Sequence, residues 1–312
     1  MRTRFVSPTD RVLYFKSLPL LRTLPLGELL ALAEYAEEAE FPAGAELVRS
    51  DGPVRFVRYL TTGTASVQWG GVEVAIRDHR RPVGLEGALA TRPMERRVVA
   101  LEPCTVLDVR TEVVLDMLQA YPALRMALIQ QYAQDVHEAR GGLPALPEQG
   151  TTDPGTWPDR PLDLVSRLRL IYEGAPQADL NLDAILSICR AMREERVRAG
   201  TILWETDTPA HHGYLVVAGK VRCEVPGQVP LVLGYRHGIG GNESIAGIRR
   251  TYRAVAETDC VLLRMHETTM NALFLHNFGV ARAWLGLLVD QYIQLRIHRA
   301  QEVGRASTEL VV

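Results

Sequence analysis

Two stretches decide how this chain folds: Phe41-Pro42-Ala43-Gly44-Ala45-Glu46-Leu47 and Val197-Arg198-Ala199-Gly200-Thr201-Ile202-Leu203. Each sets an Ala-Gly pair ahead of a short apolar run, and the match continues in register beyond it. Asp51 and Pro53 are answered by Asp207 and Pro209, Gly63 by Gly219, Gly84 by Gly240, and Ala90 by Ala246. Val99-Ala100 is answered by Val255-Ala256, and Cys104 and Leu107 by Cys260 and Leu263. The separation is constant: 199 − 43, 219 − 63 and 260 − 104 all equal 156. Solenoid repeats have periods of roughly 20–50 residues, so this period marks one domain duplicated.

Working outward, each copy offers short runs rich in Val, Leu and Thr, punctuated by turn residues. In the first copy these are Ala45–Arg49, Arg55–Thr62, Ala65–Trp69, Val72–Arg77, Arg96–Leu101 and Thr105–Val109. The second repeats them at Thr201–Glu205, Tyr214–Ala218, Val221–Val225, Pro230–Tyr235, Tyr252–Ala256 and Val261–Met265. Six clear runs, with room for weaker ones, predict two eight-stranded antiparallel barrels of jelly-roll type, a design that protects strand edges. Helical spacing flanks them at Leu26–Ala39, Thr111–Ala120, Ala123–Arg140, Leu162–Tyr172, Leu182–Met192, Thr268–His276 and Phe278–Gln301. The fold class is therefore mainly β with flanking helices, each barrel followed by a long helix. Residues 1–140 make the first domain, the Pro/Gly-rich stretch 141–161 a linker, and 162–312 the second domain.

Composition narrows the function. The chain has 312 residues, 47% apolar and 23% charged, with a formal net charge of −2. No global field draws it to nucleic acid or anionic lipid. Only Lys16 and Lys220 are lysines, so 35 − 2 = 33 residues are arginine, a skew read as genome composition rather than a binding surface. No apolar run approaches the ~20 residues of a membrane span, and the first residues lack the apolar segment of a signal peptide. Four scattered cysteines give neither a disulfide framework nor a C-x-x-C zinc pair. The expectation is a reduced, cytoplasmic protein with buried, inert thiols at Cys104 and Cys260.

Helix, barrel and long helix, with Ala-Gly at the first strand and a glycine closing the next, resemble the cyclic-nucleotide-binding domain. That is the sensor of the catabolite activator protein family and of kinase regulatory subunits. The matching residues are Ala43-Gly44 with Tyr59-Leu60-Thr61-Thr62-Gly63, and Ala199-Gly200 with Tyr214-Leu215-Val216-Val217-Ala218-Gly219. Ala256-Glu257-Thr258-Asp259-Cys260 and its counterpart Ala100-Leu101-Glu102-Pro103-Cys104 add to it. The resemblance implies a ligand cassette between two strands, reading G-E-apolar-A and then R-[ST]-A. Helix N–H groups and the Arg would hold a cyclic phosphate, and the Glu a ribose hydroxyl.

In the first copy the family's arginine position is Met94, followed by Glu95, and an apolar residue offers a phosphate nothing. Arg96 could substitute only if the cassette shifted. In the second copy Arg250-Thr251 fall in register with R-[ST], and Glu243-Ser244-Ile245-Ala246 resembles the E-apolar-A element. Two departures stand out: Glu243 and Arg250 are closer in sequence than the family's pattern, and Tyr252 replaces its small residue. The candidate ligand-binding residues are Gly240, Glu243, Ser244, Arg250 and Thr251, with a cyclic nucleotide of unspecified identity as the implied ligand.

His211-His212 lacks the spacing of a metal site and reads as a turn, so no metal is expected. No nucleophile or phosphate-loop motif suggests an enzyme. The expected role is a non-enzymatic regulator that acts through an unidentified protein partner. The alternatives are a ligand-free scaffold and, more weakly, a DNA-binding transcriptional regulator, although no helix-turn-helix follows the last helix. Ala281, Leu285, Leu288, Tyr292 and Leu295 form a seam along that helix. The seam serves either a homodimer or an intramolecular pseudo-dimer.

Overall fold

A computed structural model describes residues 7–22, 24–49, 52–79, 81–92, 95–144, 160–174 and 182–309, and carries the 156-residue register element by element. The first copy runs α1 (Pro8–Ser17), α2 (Leu26–Tyr35), β1 (Glu37–Phe41), β2 (Glu46–Val48), β3 (Phe56–Thr62), β4 (Ala65–Trp69) and β5 (Val72–Arg77). It continues with α3 (Leu85–Leu89), β6 (Arg96–Ala100), β7 (Cys104–Arg110), α4 (Thr111–Ala120) and α5 (Pro122–Ala139). The second runs α6 (Leu164–Gly174), α7 (Leu182–Ala191), β8 (Arg193–Val197), β9 (Ile202–Trp204), β10 (His212–Ala218), β11 (Val221–Glu224) and β12 (Leu231–Leu233). Then come β13 (Gly238–Ile239), α8 (Gly241–Ala246), β14 (Arg253–Ala256), β15 (Cys260–His266), α9 (Glu267–His276) and α10 (Phe278–Glu309).

The strands are antiparallel and form two sheets per copy rather than one closed barrel. The first copy orders them β1-β7-β3 and β2-β6-β4-β5, the second β13-β10-β15-β8 and β12-β11-β14-β9. Both sheets of the second copy share one core: Tyr214, Val216, Ile239 and Leu262 from one meet Trp204, Val221, Cys223, Leu233 and Ala254 from the other. Only the second copy shows all eight expected strands among the described residues. Where β13 pairs Ile239 with Tyr214 and Gly238 with Leu215, the first copy keeps a single bridge, Arg58 to Val83.

Two expected boundaries shift. The helix read as Leu26–Ala39 ends at Tyr35, and β1 begins at Glu37. Glu37 and Glu38, taken for part of a polar helix face, lie in β1 at a sheet edge, where charge is the normal guard. The histidine pair is not a turn: His212 opens β10 opposite His266. His211, exposed, sits 2.9 Å from Glu267. The two tight turns after β3 and β10 demand glycine. A Cβ on Gly219, at φ 83°, would fall 2.2 Å from the Asp259 carbonyl oxygen. Cys104 and Cys260 lie buried at the matching positions, and burial pushes both thiols up.

Packing divides the chain into two compact units, Met1–Leu128 with Val289–Val312, and Ile129–Leu288. The cuts fall inside α5 and α10, so the end of α5 is counted with the second copy's strands and the end of α10 with the first's. Chain order alone placed the division at 141–161, because it assigns each long helix wholly to the copy it follows. Residues 145–159 of that stretch lie outside the described residues. The seam residues Ala281, Leu285, Leu288, Tyr292 and Leu295 are all buried within the single chain. No single helix among the described residues is long and apolar enough to cross a membrane.

Candidate functional site

The second cassette begins where β13 gives way to α8. Gly240, at φ 71°, makes the left-handed turn into the helix. A side chain there is excluded: a Cβ would lie 2.4 Å from Arg250 Nη1 and 2.8 Å from Trp204. Arg250 is fixed by its own backbone, its N–H donating to Thr208 O at 2.9 Å while its carbonyl accepts from Asp207 N at 2.8 Å. These constraints bring Gly240 and Arg250 together as the sequence reading expected.

The Arg250 side chain is only 2% exposed. Nη1 donates to Gly240 O at 2.7 Å, and Nη2 donates to His212 O. The guanidinium lies over Trp204, with Cζ 4.0 Å from the ring centroid. No carboxylate oxygen of the described residues is within 4.0 Å of it, and Nε has no acceptor among them. Burial pulls the Arg250 pKa down, and the field of nearby Glu243 opposes that most strongly.

Aromatic rings complete the surroundings. Tyr214 stacks parallel to Trp204 at 6.1 Å, Tyr252 meets it edge-on at 5.6 Å, and His212 edge-on at 6.1 Å. Trp204 Nε1 donates to Tyr252 O at 3.0 Å. Burial, then the charges of Arg264 and Arg250, lower the His212 pKa to about 4, so that ring is neutral near pH 7.

The other candidate residues are near but engaged with protein. Ser244 Oγ donates to Gly240 O at 3.1 Å, and Thr251 Oγ1 donates to Gly142 O at 3.1 Å. Glu243 is 3% exposed, with His137 Nδ1 3.9 Å from Oε1. Arg140 also feels Glu243, whose charge opposes the downward pull of burial. Sequence reasoning missed Trp204, His212, His137 and Arg140. The one available signal was Trp204, which stands where the first copy has Val48.

The first cassette solves the problem differently. Gly84, at φ 89°, opens α3, and the buried Glu86 accepts from Arg77 Nη2 at 2.8 Å. At the end of the cassette Thr91 donates its N–H to Asp290 Oδ1 at 3.1 Å and its hydroxyl to Oδ2. Tyr292 meets Trp69 edge-on at 6.1 Å, and Arg296 donates to Val74 O. Arg96 Nη2 donates to Gly52 O at 2.9 Å. Met94 lies outside the described residues.

As arranged, the second cassette does not fit a cyclic phosphate. Both terminal nitrogens of its arginine already serve carbonyl oxygens, one face is covered by Trp204, and Tyr252 is fully buried where the family's pattern has a small residue. Among the described residues no cluster of three or more His, Cys, Asp or Glu is placed to hold a metal ion.

No protein-family model matches the sequence, and no curated protein matches it. Solved structures similar to the chain include protein kinase A regulatory subunits and the sensor domain of a transcriptional regulator. The regulatory domain of Toxoplasma gondii PKA, co-crystallised with cAMP, is 13% identical with a TM-score of 0.36, covering 90% of this chain and 95% of that one. The regulatory subunit of a cAMP-independent protein kinase A from Trypanosoma cruzi, bound to guanosine, is 12% identical with a TM-score of 0.36, covering 86% and 85%. The sensor domain of the transcriptional regulator DNR from Pseudomonas aeruginosa is 18% identical with a TM-score of 0.39, covering 45% of this chain and 97% of that one. Likenesses of this size fix neither a ligand nor a site.

Proposed function

We propose that this chain is a non-enzymatic regulatory protein, two cyclic-nucleotide-binding-type domains in one polypeptide, that acts through a protein partner. One observation carries the reading: each cassette is met by a long helix rooted in the other copy's sequence. In one unit Asp290 of α10 holds Thr91. In the other His137 of α5 lies near Glu243, and Arg140, just beyond that helix, feels its charge. A shift at either cassette is thereby passed to a helix rising 1.5 Å per residue, which is an output element and not a catalytic one. Four free, buried cysteines suit a reducing, cytoplasmic setting.

A second reading, a sensor with its ligand in the second copy, draws on the buried charges. The buried Arg250 guanidinium meets carbonyl oxygens rather than a carboxylate among the described residues, and a bound anion would offset its charge. The partner-dependent reading is tested by cross-linking in cells, identification of the partner, and reconstitution from two purified proteins. A stoichiometric complex that changes the partner's activity is expected. A chain that instead retards DNA or turns over a substrate alone sinks the proposal.

A further inference from the structure

We infer that Arg250 is the internal occupant of the second cassette, which is closed by its own side chains and takes no cyclic nucleotide. Every contact of its guanidinium is one that holds a cation without a charged partner. Two carbonyl dipoles, Gly240 O and His212 O, accept from its ends. The Trp204 face lies 4.0 Å from Cζ, and Tyr214, Tyr252 and His212 pack round that ring. Carbonyls and aromatic faces are what a binding site for a cation is made of, and a guanidinium, planar and weakly hydrated, suits it better than an ammonium.

A phosphodiester entering here would have to strip both carbonyl bonds and slide the guanidinium off Trp204. His212 O would then lose this donor, and Gly240 O would keep only its bonds from Ser244. Both oxygens would also stand close to the incoming negative charge, which a carbonyl's partial charge repels. Gly240 is part of the same arrangement: its missing Cβ is the space Arg250 Nη1 fills. Tyr252, with no exposed surface, belongs to the same core as Trp204 and Ile239. The closed state is therefore supplied by the sequence itself.

This goes beyond the partner-dependent reading and stands or falls separately from it. An arginine kept for an absent anion is a strained buried cation, and its removal leaves the ligand-free protein as stable or more so. An arginine that is itself the occupant leaves a hole and takes a donor from each of two buried carbonyls. Thermal unfolding of the full chain without ligand separates the cases. Arg250→Met, the residue of the first copy at this position, should lower Tm by about 5 °C or more. Arg250→Lys should lower it in part, because an ammonium cannot span both carbonyls while lying flat on Trp204.

The wild-type chain is screened in parallel against cAMP, cGMP and cyclic di-GMP at about 1 mM, a test that needs no variant to fold. None should raise Tm, whereas a ligand at 100 times its Kd would stabilise by about 2.7 kcal/mol. A nucleotide-dependent rise that Arg250→Lys abolishes overturns the inference. So does an Arg250→Met protein as stable as wild type. Either result would leave a partner-dependent regulator standing, now gated by a ligand, while failure to find a partner would leave the role of Arg250 untouched.

Discussion

The two cassettes share a backbone and differ in how they settle buried charge. In the first, Arg77 and Glu86 face each other at 2.8 Å, both side chains below 10% exposed, and Arg58 lies 3.1 Å from Asp108. In the second, Leu233 stands at the position of Arg77, and Tyr214 and Arg264 stand at those of Arg58 and Asp108. The anion is brought in from β8 instead: Glu195 accepts from Tyr214 Oη at 2.8 Å and from Arg264 at 2.9 Å. Arg250 receives carbonyls and an aromatic face but no carboxylate. The turn glycines keep register while the polar interior is rewritten, so the duplication constrains chain path far more tightly than it constrains chemistry.

The comparison breaks most sharply at the first cassette's ion pair. Arg77→Met leaves Glu86 as a buried charge without its guanidinium and should cost about 3–5 kcal/mol. The double variant Arg77→Met/Glu86→Leu should recover most of that loss. Urea midpoints of the three proteins measure it, and a single variant as stable as the double would show the pair to be uncoupled.

Next come the glycines. Gly240→Ala meets left-handed strain and the Arg250 contact together, and should cost about 3 kcal/mol. Gly200→Ala, at φ 84° with nothing within 4 Å of its added methyl, should cost about 1 kcal/mol. Equal losses would mean that the guanidinium makes room easily.

The smallest effect is one of pH. His212 has its pKa lowered to about 4 from the ordinary 6.5, so the folded chain refuses a proton that the unfolded chain accepts. Above the unfolded value neither state is charged and nothing changes. As pH falls from about 6.5 to 4, stability should drop by about 2 kcal/mol, partial exposure allowed for, and then level off. His212→Phe, which installs the first copy's Phe56, should flatten that part of the profile. An unchanged slope would place the titration elsewhere.

Much of this was readable from the chain because turns and periodicity are local. The 156-residue register, the positive-φ glycines and the cassette positions follow from residue types that few conformations accept. The strands β1 and β8 were not readable: Glu37-Glu38-Ala39-Glu40 and Arg193-Glu194-Glu195-Arg196 carry no apolar alternation, and only pairing with β7 and β15 makes them strands. The five candidate residues were found by register, yet register carries no information on where a side chain's hydrogen bonds end. Arg250 turns toward carbonyls because Trp204 and Tyr252 fill the space around it, a tertiary fact spread over three separate stretches of sequence.

The allocation of helix ends has a consequence for dissecting the molecule. A gene cut in the Pro/Gly-rich stretch gives two products that each carry both sheets of one copy, yet each lacks the part of a long helix that is counted with its unit. Each half alone is therefore expected to be less stable than within the full chain. Expressed together, the halves should find each other by complementation, each lending the other its last turns, as the two chains of a swapped dimer do. A mutation at Asp290 in the second copy's final helix should accordingly be felt at Thr91 in the first copy's cassette.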